Sequence, residues 1–156
     1  MIGQWMKQQV ISVRPTTTAP EAARLVVDKH VGTLPVVDEQ GTLVGVVRVR
    51  DLLDVFMPDF VHLLENIDFV HDFGAMENRS RRPLAEAAGL TMADLMQPPV
   101  AVAESSGLLR ALATMNKHGI RDLPVVDKAG VLVGIASLVD IAAAFLAKWL
   151  DEEPIL

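Results

Sequence analysis

Apolar residues along this chain fall into short runs that alternate with turn residues, and one such arrangement occurs twice. Leu123–Val126 is a four-residue apolar run, Asp127–Gly130 reads as a turn, and Val131–Ala136 is a second apolar run. Runs of that length, rich in valine and bounded by Asp and Gly, predict a β-hairpin. A helix is expected from about Ser137 to Leu150, with Leu138, Ile141, Ala142, Phe145, Trp149 and Leu150 forming a broad apolar stripe. The stretch Leu34–Asp51 (LPVVDEQGTLVGVVRVRD) repeats Leu123–Asp140 (LPVVDKAGVLVGIASLVD), with ten of eighteen positions identical. A match that dense marks an internal duplication.

Each hairpin is preceded by the same two elements. Val10–Val13 is a short β-prone run. Thr18 and Glu21 have capping-box spacing, Pro20 suits the first helical turn, and Ala19, Ala22, Ala23 and Val26 share one face of a helix reaching about His30. In the second copy Val100–Ala103 is the strand, Glu104–Ser106 the expected helix start, and Leu108, Ala111, Leu112 and Met115 the buried face. Gly119 is the expected helix stop. Both copies therefore read β–α–β–β–α. Between them, roughly Val55 to Thr91, Phe56, Phe60, Leu63, Leu64 and Ile67 follow helical spacing, and Met76–Pro83 reads as an exposed loop. The expected organisation is one module: repeat 1 over 1–54, an insert over 55–91, and repeat 2 over 92–156.

Composition narrows the function. Half of the 156 residues are apolar, yet no run reaches the roughly 20 residues of a membrane helix. The N-terminus lacks the apolar core of a signal peptide, so a cytoplasmic location is expected. The absence of cysteine excludes disulfides, a thiol nucleophile and thiolate metal sites. A net charge of −6 and the scarcity of aromatics argue against nucleic acid as a partner.

The doubled β–α–β–β–α unit, the LPVVD…G…VG core and the Ser137-x-x-Asp140 ending resemble a tandem pair of CBS domains, the Bateman module. The resemblance covers the chain except the insert. It implies an α+β fold of two repeats about a pseudo-twofold axis, with a partly helical insert, and assembly of two pairs into a disc-like homodimer. It also implies clefts between repeats that bind AMP, ADP, ATP or S-adenosylmethionine as a regulatory ligand.

The residues themselves allow that chemistry. A carboxylate in the first turn of a helix, such as Asp140, can accept hydrogen bonds from both hydroxyls of a ribose. Ser137 lies where free N–H groups and the helix dipole favour a phosphate. The same Ser-x-x-Asp spacing also describes an ordinary helix cap with no ligand. Carried over from the family, one cleft (site A) takes Ser137 and Asp140 from repeat 2 and a purine wall of Ile11, Val31, Gly32, Thr33 and Pro35 from repeat 1. The other (site B) takes Asp51 with Val100, Ile120, Arg121 and Pro124. Here Arg48 replaces the hydroxyl residue, and it either fills the cleft or offers a cation to phosphate. Arg121 could likewise reach phosphate, or pair with Asp122 or another acid at the surface.

Other candidates carry less. Asp38 and Asp127 sit at turns, where Asp bonds its own backbone. Gly41, Gly45, Gly130 and Gly134 read as hairpin and close-approach glycines. His30, His62, His71 and His118 show no zinc-ligand spacing, so no metal is expected. Arg79, Arg81 and Arg82 read as a solvated loop. With no nucleophile–base pair and no metal motif, an enzyme is not expected. The expected function is a regulatory sensor of an adenosine nucleotide, signalling through a homodimer to an effector protein that the sequence does not identify. The alternative is a structural dimerisation or docking module with a degenerate pocket.

Overall fold

A computed structural model describes residues 1–57 and 84–151. In repeat 1, helix α1 (Ala19–Lys29) leads to the hairpin β1 (Thr33–Val37) and β2 (Leu43–Arg48), then to α2 (Val49–Phe56). Two short helices follow, α3 (Leu84–Ala88) and α4 (Met92–Leu95). Repeat 2 contains β3 (Val102–Ala103), α5 (Leu108–His118), β4 (Asp122–Val126), β5 (Leu132–Ser137) and α6 (Leu138–Asp151). β3 runs parallel to β4, and β4 antiparallel to β5. In repeat 1 the strand expected over Val10–Val13 contracts to one parallel bridge between Val13 and Val36.

Local sequence accounts for most boundaries. Thr18 Oγ accepts the Glu21 N–H, and the Glu21 carboxylate accepts the Thr18 N–H at 2.9 Å, so α1 opens with the expected capping box. That backbone bond, with the Thr18 hydroxyl contributing next, holds the Glu21 carboxyl below its ordinary range. At the other end His30 takes a left-handed conformation where repeat 2 has Gly119, and both close their helices. The start expected at Glu104–Ser106 is displaced: α5 begins at Leu108 with Gly107 as its N-cap. The Glu104–Ser106 stretch is committed elsewhere. Ser106 N–H closes a turn onto Ala103, while the Glu104 and Ser106 carbonyls accept N–H groups from Gly3 and Ile2. Asp38 and Asp127 are structural, each accepting two backbone N–H groups of its own turn.

Two cores form, and each takes in chain that precedes the other repeat. Leu34, Val36, Val47, Leu52 and Val55 are buried with Ala87 and Met92. Leu123, Val125, Ala136, Ile141 and Met115 are buried with Ile2, the start of the N-terminal 3-10 turn. The exchange is hydrogen-bonded. Lys7 pairs with Ile135 of β5, Gln97 pairs with Val46 of β2, and Thr18 bridges Thr91. Gly45 and Gly134 mark the crossings. A methyl on Gly45 would lie 2.9 Å from the Met96 Cβ, and one on Gly134 would strike Met6 and lie 3.1 Å from the Lys7 carbonyl oxygen.

The repeats meet about a pseudo-twofold axis. Leu43 N–H donates to Gly130 O at 3.1 Å, and its counterpart Leu132 N–H donates to Gly41 O at 3.0 Å. Thr42 bridges its own counterpart, Val131. The inter-repeat insert from 58 to 83, including Phe60, Leu63, Leu64, Ile67, His62, His71 and the three arginines Arg79, Arg81 and Arg82, lies outside the described residues. Within the described residues no helix is long and apolar enough to cross a membrane.

Candidate functional site

The centre of the site is the junction where β5 turns into α6. Ser137 N–H and Ser137 Oγ–H both donate to Asp140 Oδ2, at 2.8 and 2.7 Å, and Asp140 N–H returns a bond to Ser137 Oγ at 3.1 Å. Both residues are half-buried. Burial raises the Asp140 carboxyl, but the two bonds from Ser137, with the Lys7 charge added, together hold it below its ordinary range. Asp140 is therefore an anion with one oxygen engaged and its other oxygen, Oδ1, turned to no protein donor among the described residues.

A cap of this kind is not itself a site. Thr91 N–H and Oγ–H grip Asp94 Oδ2 in the same way at 2.9 and 3.1 Å, at the start of the short helix α4. What distinguishes Ser137–Asp140 is its surroundings. In the β4–β5 register Ser137 lies opposite Asp122. Asp122 Oδ2 accepts the hydroxyl of Thr33 at 3.1 Å, and it would lie 3.8 Å from a Cβ on Gly32. Repeat 1's Gly32 and Thr33 thus meet Asp122, the cross-strand neighbour of repeat 2's Ser137.

Thr33 and Asp122 are counterparts under the 89-residue shift, so their bond lies on the pseudo-axis. On the other side of the axis Thr33 lies opposite Arg48 in the β1–β2 register. Asp51 Oδ2 accepts the Arg48 N–H at 2.7 Å, which places Asp51 where Asp140 stands in repeat 2. Arg48 has no acceptor to return the bond, so this cap is one-sided. Arg121 is exposed and is not paired with Asp122, whose carboxylate binds Thr33 instead; the single ion pair among the described residues is Arg50–Asp54. The geometry removes the surface-pair reading of Arg121 with Asp122.

The remaining wall residues divide by depth. Pro35 and Pro124 are buried, and Ile120 and Thr33 nearly so. Ile11, Val31 and Val100 are half-buried against the two cores. Among the described residues no group of three or more His, Asp or Glu side chains is gathered as a metal site. A shallow depression on α1, lined by Thr17, Pro20, Glu21, Arg24, Leu25 and Asp28, shares no residue with either cleft.

A family model for the CBS domain matches residues 2–58 and 92–147. This chain belongs to the CBS-domain family. It is a tandem CBS pair, and its matched segments coincide with the two repeats that the hairpins define. The chain is 35 % identical over 150 residues to the chloroplastic CBS domain-containing protein CBSX1 of Arabidopsis thaliana, covering 93 % of this chain and 64 % of that one. It therefore spans somewhat less than two thirds of that relative's length. The crystal structure of the CBS-pair protein CBSX2 from Arabidopsis thaliana superposes with a TM-score of 0.74 at 30 % identity, covering 96 % of each chain. A structure of CBSX2 in complex with AMP superposes at 0.70, with 32 % identity over 95 % of this chain and 97 % of that chain.

Two residues near the Ser137–Asp140 junction are not evident from spacing. By spacing alone Asp122 is no more than a neighbour for Arg121. Its signal is the duplication itself, because counterparts near a twofold axis face each other. Lys7 gives no local signal, because Met6–Lys7 lies at the start of repeat 1 in the chain but pairs with repeat 2 in space.

Proposed function

We propose that this CBS pair is a regulatory sensor of an adenosine nucleotide, AMP, ADP or ATP, with S-adenosylmethionine as the other member of the class. The observation that carries the reading is the anionic, half-buried Asp140, whose Oδ1 meets no donor among the described residues and whose partner Ser137 lies opposite Asp122, the residue that binds repeat 1's Thr33, in a chain similar over nearly its full length to an AMP-bound CBS pair. In site A the ribose diol binds Asp140 Oδ1, and the purine lies against Ile11, Val31, Gly32, Thr33 and Pro35. Site B uses Asp51, Arg48 and Arg121 with a wall of Val100, Ile120 and Pro124. No chemical step is involved, and the module is not an enzyme. The ligand shifts the inter-repeat geometry by its differential affinity for the two arrangements.

The same proposal includes a homodimer. Leu53 on α2 and Met57 just after it, and Val139, Leu146, Trp149 and Leu150 on α6, are exposed at 37–74 %. Exposed apolar residues on a helix face favour association with a second copy. The module comprises repeat 1 over 1–54, the insert over 55–91 and repeat 2 over 92–156. It acts in the cytoplasm on an effector protein. The exposed α6 face also supports the second reading, a dimerisation or docking module that binds no ligand.

One titration separates them. Calorimetry and thermal unfolding with AMP, ADP, ATP and S-adenosylmethionine on wild type and Asp140→Ala test the site. A ligand at 100 times its Kd stabilises by about 2.7 kcal/mol. A shift lost in Asp140→Ala supports the sensor. No shift with any compound leaves the dimerisation module.

A further inference from the structure

We propose that Lys7 is the phosphate-binding cation of the Ser137–Asp140 cleft, and that it makes this cleft prefer an adenosine nucleotide to the uncharged nucleoside or a sulfonium compound. The inference rests on the nucleotide reading above and assigns its ligand class.

The placement follows from backbone pairing. Lys7 N–H donates to Ile135 O at 2.8 Å and Ile135 N–H donates to Lys7 O at 3.0 Å, an antiparallel bridge. Directly opposed residues of such a pair project to the same face, and residues two apart on a strand share a face. Lys7, Ile135 and Ser137 therefore project together. The neighbouring Met6 and Gly134 lie on the other face, where Met6 packs against the repeat 2 core.

The ammonium group is exposed and is not consumed locally. Its charge reaches Asp140, but no ion pair forms between them; the one ion pair among the described residues is Arg50–Asp54. A cation is needed there on electrostatic grounds. Asp122 lies opposite Ser137 and Asp140 is hydrogen-bonded to it, so carboxylates flank Ser137 on both sides in a chain of net charge −6, and they repel an incoming phosphate. Lys7 offsets that repulsion at the point where the small side chain of Ser137 leaves room for an anion beside the first turn of α6.

Pseudo-symmetry gives an independent reason. The bridge matching Lys7–Ile135 is Gln97–Val46. Where site A has Lys7 beside Ser137, site B has the uncharged Gln97 beside Arg48, two residues beyond Val46. Site A thus draws its cation from the preceding segment, whereas site B, with Gln97 in that place, has Arg48 at its strand end and Arg121.

The test is calorimetric titration of AMP and of adenosine into the full chain, using wild type, Lys7→Met and Lys7→Arg, each also in an Asp51→Ala background that weakens the second cleft. Wild type is expected to bind AMP more tightly than adenosine. Lys7→Met should weaken AMP about tenfold, as for loss of a partly exposed charge-assisted contact, and leave adenosine within about twofold. Lys7→Arg should retain the preference. An AMP-to-adenosine ratio unchanged by Lys7→Met overturns the inference while the nucleotide reading stands. An equal loss for both ligands also overturns it, because Lys7 would then act on the fold. Failure of wild type to bind either compound overturns the nucleotide reading itself, and the Lys7 assignment with it.

Discussion

Gly134→Ala tests the exchange of segments between repeats on which both clefts depend. By itself, replacing a strand glycine with alanine stabilises by about 0.5–1 kcal/mol, because the unfolded chain loses freedom. Here the added methyl meets Met6, which is flexible, and the Lys7 carbonyl oxygen at 3.1 Å, which is backbone tied to β5 by two hydrogen bonds. Moving the methionine does not relieve the second contact. Overpacking of this kind costs about 1–3 kcal/mol, so the steric cost outweighs the entropic gain. The expected net loss is about 1–2 kcal/mol, a fall in Tm of about 2–8 °C for a chain of this size. Urea unfolding with an unchanged m-value measures it, and amide exchange at Lys7 and Ile135 should accelerate by more than elsewhere in β5. Gly89→Ala, where a methyl meets nothing within 4 Å, is the control and should not lower stability. A Gly134→Ala protein as stable as wild type, with exchange at Lys7 unaltered, would refute the clamped crossing.

Two further outcomes follow from the site. Thr33→Val removes the hydroxyl that bridges the repeats to Asp122, and should cost about 1 kcal/mol, since the half-buried carboxylate recovers some solvent; a double-mutant cycle with Asp122→Ala that gave zero coupling would sink this assignment. Because the Asp140 carboxyl is held below its ordinary value of 3.8 in the folded state, its contribution to stability is present above that value and is lost as pH falls through the lower folded value. Asp140→Asn should therefore make the stability curve shallower in that acid window, read by denaturation between about pH 2 and 5, and an unaltered slope would count against it.

The duplication was legible in the sequence because each repeat buries the same faces by the same means. The short apolar runs, the Thr18–Glu21 box, the helix stop at Gly119 and the Asp38 and Asp127 turns are local matters of propensity and hydrogen bonding, decided within a few residues of chain. Ser137 and Asp140 were legible for the same reason, being three residues apart in one turn. The start of α5 was misplaced because the Glu104 and Ser106 carbonyls receive the N-terminal turn, a contact about a hundred residues away in the chain. The close approach at Gly45 and Gly134 was legible too, but Asp122, Lys7 and which segments cross those glycines were decided only by the tertiary structure. Each gains its role from chain that precedes the other repeat or lies across the pseudo-axis, and no local pattern of residue types encodes which distant segment will arrive there. Local sequence determined the elements and the cap that holds Asp140, and the packing of one repeat against the other determined what faces it.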